Sequence, residues 1–283
     1  MSRSRPLLLV LLLLALSSGL FAAASESLAD RTLKDIAERQ KSLLADAARM
    51  GDRLDQEAFR SQVESLCHEY EAFLRSNPDS SAGYTAYGYL LSKVGMRKDA
   101  AAILLKANQL DPNIPLVKNQ LGNYLAEEGK PLEAVNYYLS AVKLEPKEPL
   151  YHYQLGTLLY EARADFIKSG EWTQVALEHS MHEAFRQAAE LAPDRFEFVY
   201  RYAESFADVQ NPDWEAALKV WGGLEAQAKT SIERQALQLQ EANVYLKWGK
   251  PDKARVIIDG VVEPELQGQK EKLVAQLPQT AKN

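Results

Sequence analysis

The chain has 283 residues, 46% of them hydrophobic, with 33 lysines and arginines against 39 aspartates and glutamates. Its formal net charge of −6 argues against nucleic acid and anionic membrane surfaces as partners, because both are held by a basic patch. A single cysteine, Cys67, rules out an internal disulfide, so a hydrophobic core has to hold the fold. Residues 1–24 read as a signal peptide: Arg3 and Arg5 are the basic start, Leu7 to Leu16 is unbroken apolar sequence, and Ala22-Ala23-Ala24 supplies small residues for cleavage after Ala24. The expectation is an exported protein, periplasmic or secreted; the absence of any N-x-[ST] acceptor is compatible with a bacterial envelope. The alternative is an uncleaved anchor, since Leu7 to Ala24 is nearly long enough to span a bilayer, although Ser17, Ser18 and Gly19 interrupt it. No cysteine follows the apolar stretch for lipid attachment, and no later segment is apolar enough to cross a membrane.

Residues 25–77 read as two amphipathic helices. The first, from Ser25 to Met50, places Leu33, Ile36, Leu43, Leu44 and Ala47 on one face, and Gly51-Asp52 breaks it. Asp55 caps the second, whose Leu66, Tyr70 and Phe73 precede Pro78. From there the chain acquires a period. Gly88, Gly122 and Gly156 stand 34 residues apart, as do Pro78, Pro112 and Pro146, and Leu91, Leu125 and Leu159. A step of 34 shared by so many positions marks stacked helix-turn-helix units.

The first unit carries Tyr84-x-x-Tyr87-Gly88-x-x-Leu91, then Ala100, Leu104, Ala107 and Pro112. The second carries Lys118-x-x-Leu121-Gly122-x-x-Leu125, then Ala134, Tyr138, Ala141 and Pro146. This pattern resembles the tetratricopeptide repeat, W-x2-L-G-x2-Y, A-x3-F, P, with Lys118 and His152 replacing the first aromatic. The resemblance implies an all-α, right-handed helical solenoid of about five repeats over residues 78–264, with capping helices at both ends. The glycines at 88, 122 and 156 are expected to let paired helices approach, answered by the small Ala100 and Ala134. Gly95, Gly129 and Gly249 are expected at left-handed helix ends, with Pro131 and Pro251 opening the next helix.

In the third unit, beginning His152-x-x-Leu155-Gly156-x-x-Leu159, the period slips by about 13 residues, an insertion near 161–176. It is expected to lengthen both helices into a projecting hairpin, turned at Ser169-Gly170, with Trp172 at the tip as a contact for a partner or as a residue packed back on Phe166 and Val175. The fourth unit (Val199, Tyr202, Ala203, Phe206, Ala217, Trp221, Leu224) is degenerate. The fifth recovers with Ala242, Tyr245, Gly249, Ala254 and Ile258. Residues 265–283 are expected to form a short cap through Leu266, Leu273, Val274 and Leu277, then a loose tail.

The resemblance further implies that the first helix of each unit lines a concave groove. Carried over, the groove positions are Thr85 and Tyr89, Asn119 and Asn123, Tyr153, Thr157 and Tyr160, Tyr200 and Glu204 with Arg201 beside them, and Asn243. Asn119 and Asn123 share a helix face, where amides can grip an extended backbone. The implied partner is a protein or peptide segment, neutral or basic given Glu204 and Asp208, because only Arg201 offers a cation of the kind a carboxylate clamp needs. Self-association through the groove or the tip is also open. For chemistry the candidates are thin: Glu178-His179-x-x-His182-Glu183 offers two imidazoles without a third ligand, and Cys67 and His68 diverge on their helix. No phosphate loop, serine elbow or zinc cysteine pair is present, so neither an enzyme nor a cofactor is expected.

Overall fold

The computed structural model describes residues 27–278; the proposed signal peptide and the last five residues lie outside them. The described residues form fourteen α-helices, and none of these helices is long and apolar enough to cross a membrane. Helix α1 (Leu28–Met50) starts at Ser27, whose hydroxyl and backbone exchange bonds with Asp30, and stops at Gly51 with φ 52°. Helix α2 (Gln56–Ser76) is capped by Asp55, which accepts from the amides of Glu57 and Ala58. Ile36 and Leu43 of α1 pack on Val63, Leu66 and Tyr70 of α2, and the same core continues into Tyr87 and Leu104 of the first repeat unit. The Tyr70 ring stacks on Tyr87 at 5.4 Å, while its hydroxyl donates to the buried Gln40.

Five helix pairs follow: α3 (Ser81–Lys93) with α4 (Arg97–Leu110), α5 (Pro115–Glu127) with α6 (Pro131–Leu144), and α7 (Pro149–Glu161) with α9 (Gln174–Leu191); α10 (Phe196–Ser205) with α11 (Trp214–Glu225) and α12 (Ser231–Lys247) with α13 (Pro251–Gly260) complete the array. The turn glycines behave as the period implies: Gly95, Gly129 and Gly249 have φ of 82°, 70° and 72°. After each, the next amide donates to the carbonyl near the end of the preceding helix, Met96 to Leu91, Lys130 to Leu125 and Lys250 to Tyr245. That bond closes the helix end only when the residue between can turn left-handed.

The helical glycines act differently from expectation. The atoms nearest a Cβ built on Gly88, Gly122 and Gly156 belong to Leu104, Tyr138 and Phe185, at 2.6, 2.9 and 2.9 Å, and not to Ala100 or Ala134. Each glycine is therefore a socket for a large side chain of the second helix; in the first two units that side chain lies one helical turn beyond the small residue.

The insertion also departs from expectation. Helix α7 stops at Glu161, and the inserted residues form a separate helix, α8 (Arg163–Ser169), which ends at Gly170 with φ 77°. Phe166 is fully buried against Leu177, Met181 and Phe185, so burying this ring turns α8 back onto the array instead of letting α7 run on. Trp172 packs edge-on against Phe166 at 5.6 Å and is half-buried, whereas Val175 is exposed. Thr173 caps α9. At the far end Leu266, Leu273 and Leu277 bury against Leu239 and Ile258 around α14 (Gln267–Val274), while Val274 points outward.

Candidate functional site: a groove along α10 and α12

The twelve candidate residues separate into three groups. In the regular units most are already engaged. Asn119 is fully buried, and neither its Nδ2 nor its Oδ1 has a hydrogen-bond partner among the described residues. Asn123 accepts from the Tyr138 hydroxyl at 2.7 Å and from Gln154 Nε2 at 3.1 Å. These findings correct the expectation that the pair grips a ligand: Asn119 is closed off from solvent, and Asn123 serves the Tyr138 ring that fills the Gly122 socket. Thr85 and Thr157 turn their hydroxyls back to Ser81 O and Tyr153 O. Tyr89 is half-buried with the Lys93 ammonium over its ring.

Tyr153 and Tyr200 belong to the packing. Tyr153 lies between Phe185 and Phe198, with ring centroids 6.0 and 4.7 Å away, and Tyr200 meets Trp221 edge-on at 4.9 Å. Burial raises both phenols above their ordinary range. Trp172, on the inserted segment, lies apart from the groove positions and against Phe166.

The remaining four residues come together. Tyr160, Arg201, Glu204 and Asn243 line one cavity of about 250 Å³, with Trp214, Trp221, Gln240 and Lys247 among its other walls. Arg201 organises it. Its guanidinium sits 4.1 Å over the Tyr160 ring and 4.5 Å over Phe185, and both terminal nitrogens reach Asp208 Oδ2 at 3.3 Å. Glu204 stands 3.6 Å from the same guanidinium. Burial raises its carboxyl above the usual range, and Arg201 only partly offsets this.

The turn that carries Asp208 is held from outside the fourth unit. A 3-10 turn, Phe206–Asp208, follows α10, and Arg163 at the start of α8 donates to the Asp208 carbonyl at 2.8 Å. The buried Glu178 of α9 accepts from the Gln210 amide at 2.8 Å. His182 pins the other side. Ser205 Oγ donates to Tyr202 O, so its contact with His182 Nδ1 at 2.9 Å is a bond donated by the imidazole. Burial lowers the His182 pKa. His182 thus secures α9 to α10, while His179 is exposed, and no group of three His, Cys, Asp or Glu able to hold a metal is present among the described residues. Cys67 packs beside Tyr87, whereas the neighbouring His68 side chain is 82% exposed.

A second cavity, of about 520 Å³, continues the groove toward the start of α10, walled by Phe196, Tyr200, Leu224 and Leu237. Gln240 lines both cavities. On α12, Gln240, Asn243 and Lys247 fall at i, i+3 and i+7, one helix face. Neither the Gln240 nor the Asn243 amide is hydrogen-bonded to another group among the described residues. Gln240, Lys247, Trp214 and Trp221 were missed as site residues. The helix-face spacing from Asn243 was a signal for the first two; none existed for the tryptophans.

A family model for the tetratricopeptide repeat matches residues 117–148, which hold α6 and most of α5 with the Gly122 socket. That segment is a tetratricopeptide repeat. Solved structures extend the likeness beyond that one repeat. YrrB, described as a tetratricopeptide repeat protein with an unusual peptide-binding site, superposes with a TM-score of 0.59 at 17% identity, over 73% of this chain and 96% of that one. PilF of Pseudomonas aeruginosa gives 0.54 at 14% identity, over 86% and 99%. A tetratricopeptide repeat protein from Parabacteroides merdae gives 0.50 at 15% identity, over 84% and 88%. At these identities the likeness is one of fold. A search of curated protein sequences gives no significant match. Tetratricopeptide repeats generally act as protein-interaction modules or scaffolds, and the repeat fold of this array supports a role of that kind.

Proposed function

We propose that this protein is an exported binding module, without catalysis of its own, that holds an extended segment of a partner protein in the groove along α10 and α12. One observation carries the reading: the free amides of Gln240 and Asn243 face a cavity walled by aromatic side chains and by the fixed Arg201. An amide both donates and accepts, which matches the alternating groups of an extended backbone, and aromatic walls add contact area at low entropic cost. The peptide-binding site for which YrrB is described supports this use of the fold. Export rests on residues 1–24. Their apolar length also supports a second reading, in which an uncleaved segment tethers the same groove to a membrane complex; a mature terminus sequenced at Ser25 would eliminate the tether.

The test compares the chain from Ser25 onward with its Gln240→Trp variant, which fills the groove and breaks no hydrogen bond among the described residues. With helical content equal by circular dichroism, a partner retained by the first and lost by the second is the expected result. Equal retention by both would move binding away from this groove. A native mass of twice the chain, abolished by the variant, would make the partner a second copy.

A further inference from the structure

The groove has two chemically different halves. At the start of α10, Phe196, 56% exposed, with Tyr200, Leu224 and Leu237 forms the apolar part of the lining of a cavity of about 520 Å³, ample for one large side chain, whose polar lining includes Asp194, Lys229 and Glu233. At the other end Trp214 and Trp221 line one cavity with Glu204 and Asp208, and with Arg201 and Lys247. These two carboxylates are not equivalent. Asp208 receives both terminal nitrogens of Arg201, whereas Glu204 lies 3.6 Å from that guanidinium, accepts no hydrogen bond from it, and keeps 42% of its side chain exposed. Lys247 acts on Glu204 only from beyond ion-pair distance. Glu204 is thus an anion with open acceptor sites, set in aromatic walls and short of donors, and its raised pKa is the expected consequence.

Building on the binding role proposed for this groove, we infer that it selects partner segments in which a large apolar side chain is followed or preceded, two to four residues away, by a lysine or arginine. The apolar side chain enters the Phe196–Tyr200 half, and the cation reaches Glu204 in the cavity that Trp214 and Trp221 also line, where a carboxylate and aromatic rings both attract a cation. The spacing is set by the helix. Tyr200 and Phe196 precede Glu204 by one and two turns, about 6 and 12 Å at 1.5 Å per residue, and an extended chain covers those distances in two to four residues at about 3.3 Å each.

A random peptide library displayed on phage, selected on the chain from Ser25 onward, tests this. The expected outcome is a set of peptides sharing an apolar residue and a Lys or Arg at that spacing. Synthetic copies should lose all measurable affinity for Gln240→Trp and about tenfold for Glu204→Gln. Glu204→Lys, folded by circular dichroism, should turn the selection toward Asp or Glu at the same position. Peptides blocked by Gln240→Trp but lacking the cation, or indifferent to Glu204→Gln, would overturn the specificity and leave the groove standing. Peptides indifferent to Gln240→Trp, or no enrichment at all, would overturn both.

Discussion

The second repeat unit and the fourth and fifth units share one helical template and treat their polar side chains in opposite ways. In the second unit the Tyr138 ring fills the Gly122 socket, its hydroxyl takes Asn123, and Asn119 is shut inside. In the fourth and fifth units α10 runs for only ten residues, a 3-10 turn follows, and Gln240 and Asn243 are left facing a cavity. Strict periodicity here means tight packing, and tight packing consumes polar groups. Where the fourth unit lapses from the period, the neighbouring fifth keeps polar groups that face a cavity. The lapse is itself supported, because the insertion supplies Arg163, and α9 supplies Glu178, to hold the irregular turn.

This contrast can be broken at either end. The largest effect belongs to the regular side: Gly122→Leu drives a side chain into Tyr138, 2.9 Å from the Cβ position, and should cost about 3 kcal/mol in urea unfolding. Gln240→Trp, in the groove, should stay within about 0.5 kcal/mol of the parent. Arg163→Ala removes a charged donor from the Asp208 carbonyl and should cost about 2 kcal/mol. Hydrogen exchange should rise first at residues 206–213, and a uniform rise along the chain would contradict the coupling of insertion to turn.

Asn123→Ala strands the buried Tyr138 hydroxyl and should destabilise by about 1–2 kcal/mol. Asn243→Ala should leave the melting temperature unchanged while weakening peptide binding; similar stability losses in the two would erase the distinction between consumed and free amides. The smallest effect is on pH. Burial, then the neighbouring Glu225, pushes the Glu241 carboxyl up to about 7 at the α11–α12 contact. Its folded pKa exceeds its unfolded one, so the folded state binds more protons between about 4.3 and 7 and loses stability as pH rises through that window. Given its partial exposure, Glu241→Gln should recover about 1 kcal/mol at pH 8, or about 2–4 °C in Tm, and nothing at pH 4.

Much of the fold was legible because it is local. The 34-residue step located the sockets at Gly88, Gly122 and Gly156. Positive φ at Gly95, Gly129 and Gly249, and the cap Asp55, follow from residue type and spacing. What a socket receives is a tertiary fact, so Ala100 and Ala134 were credited with a contact that Leu104 and Tyr138 make. Helix α8 was misread for a similar reason: Phe166 keeps the helical period of α7, and nothing local says that the chain turns at Ala162 to bury it. The groove was half legible. A repeat position names the face a residue occupies, which was enough to gather Tyr160, Arg201, Glu204 and Asn243. It does not say whether a neighbour closes that face, as happens over Asn119.

The most direct measurement is site-specific photo-crosslinking of the chain from Ser25 onward. A benzophenone side chain would replace Asn243 in one preparation and the exposed Lys106 of α4 in another, each mixed with the partner or selected peptide. Strong crosslinking from position 243, suppressed by unlabelled peptide, with none from 106, is the predicted result. Equal crosslinking from both positions, or crosslinking from 106 alone, would contradict the assignment of binding to the groove along α10 and α12.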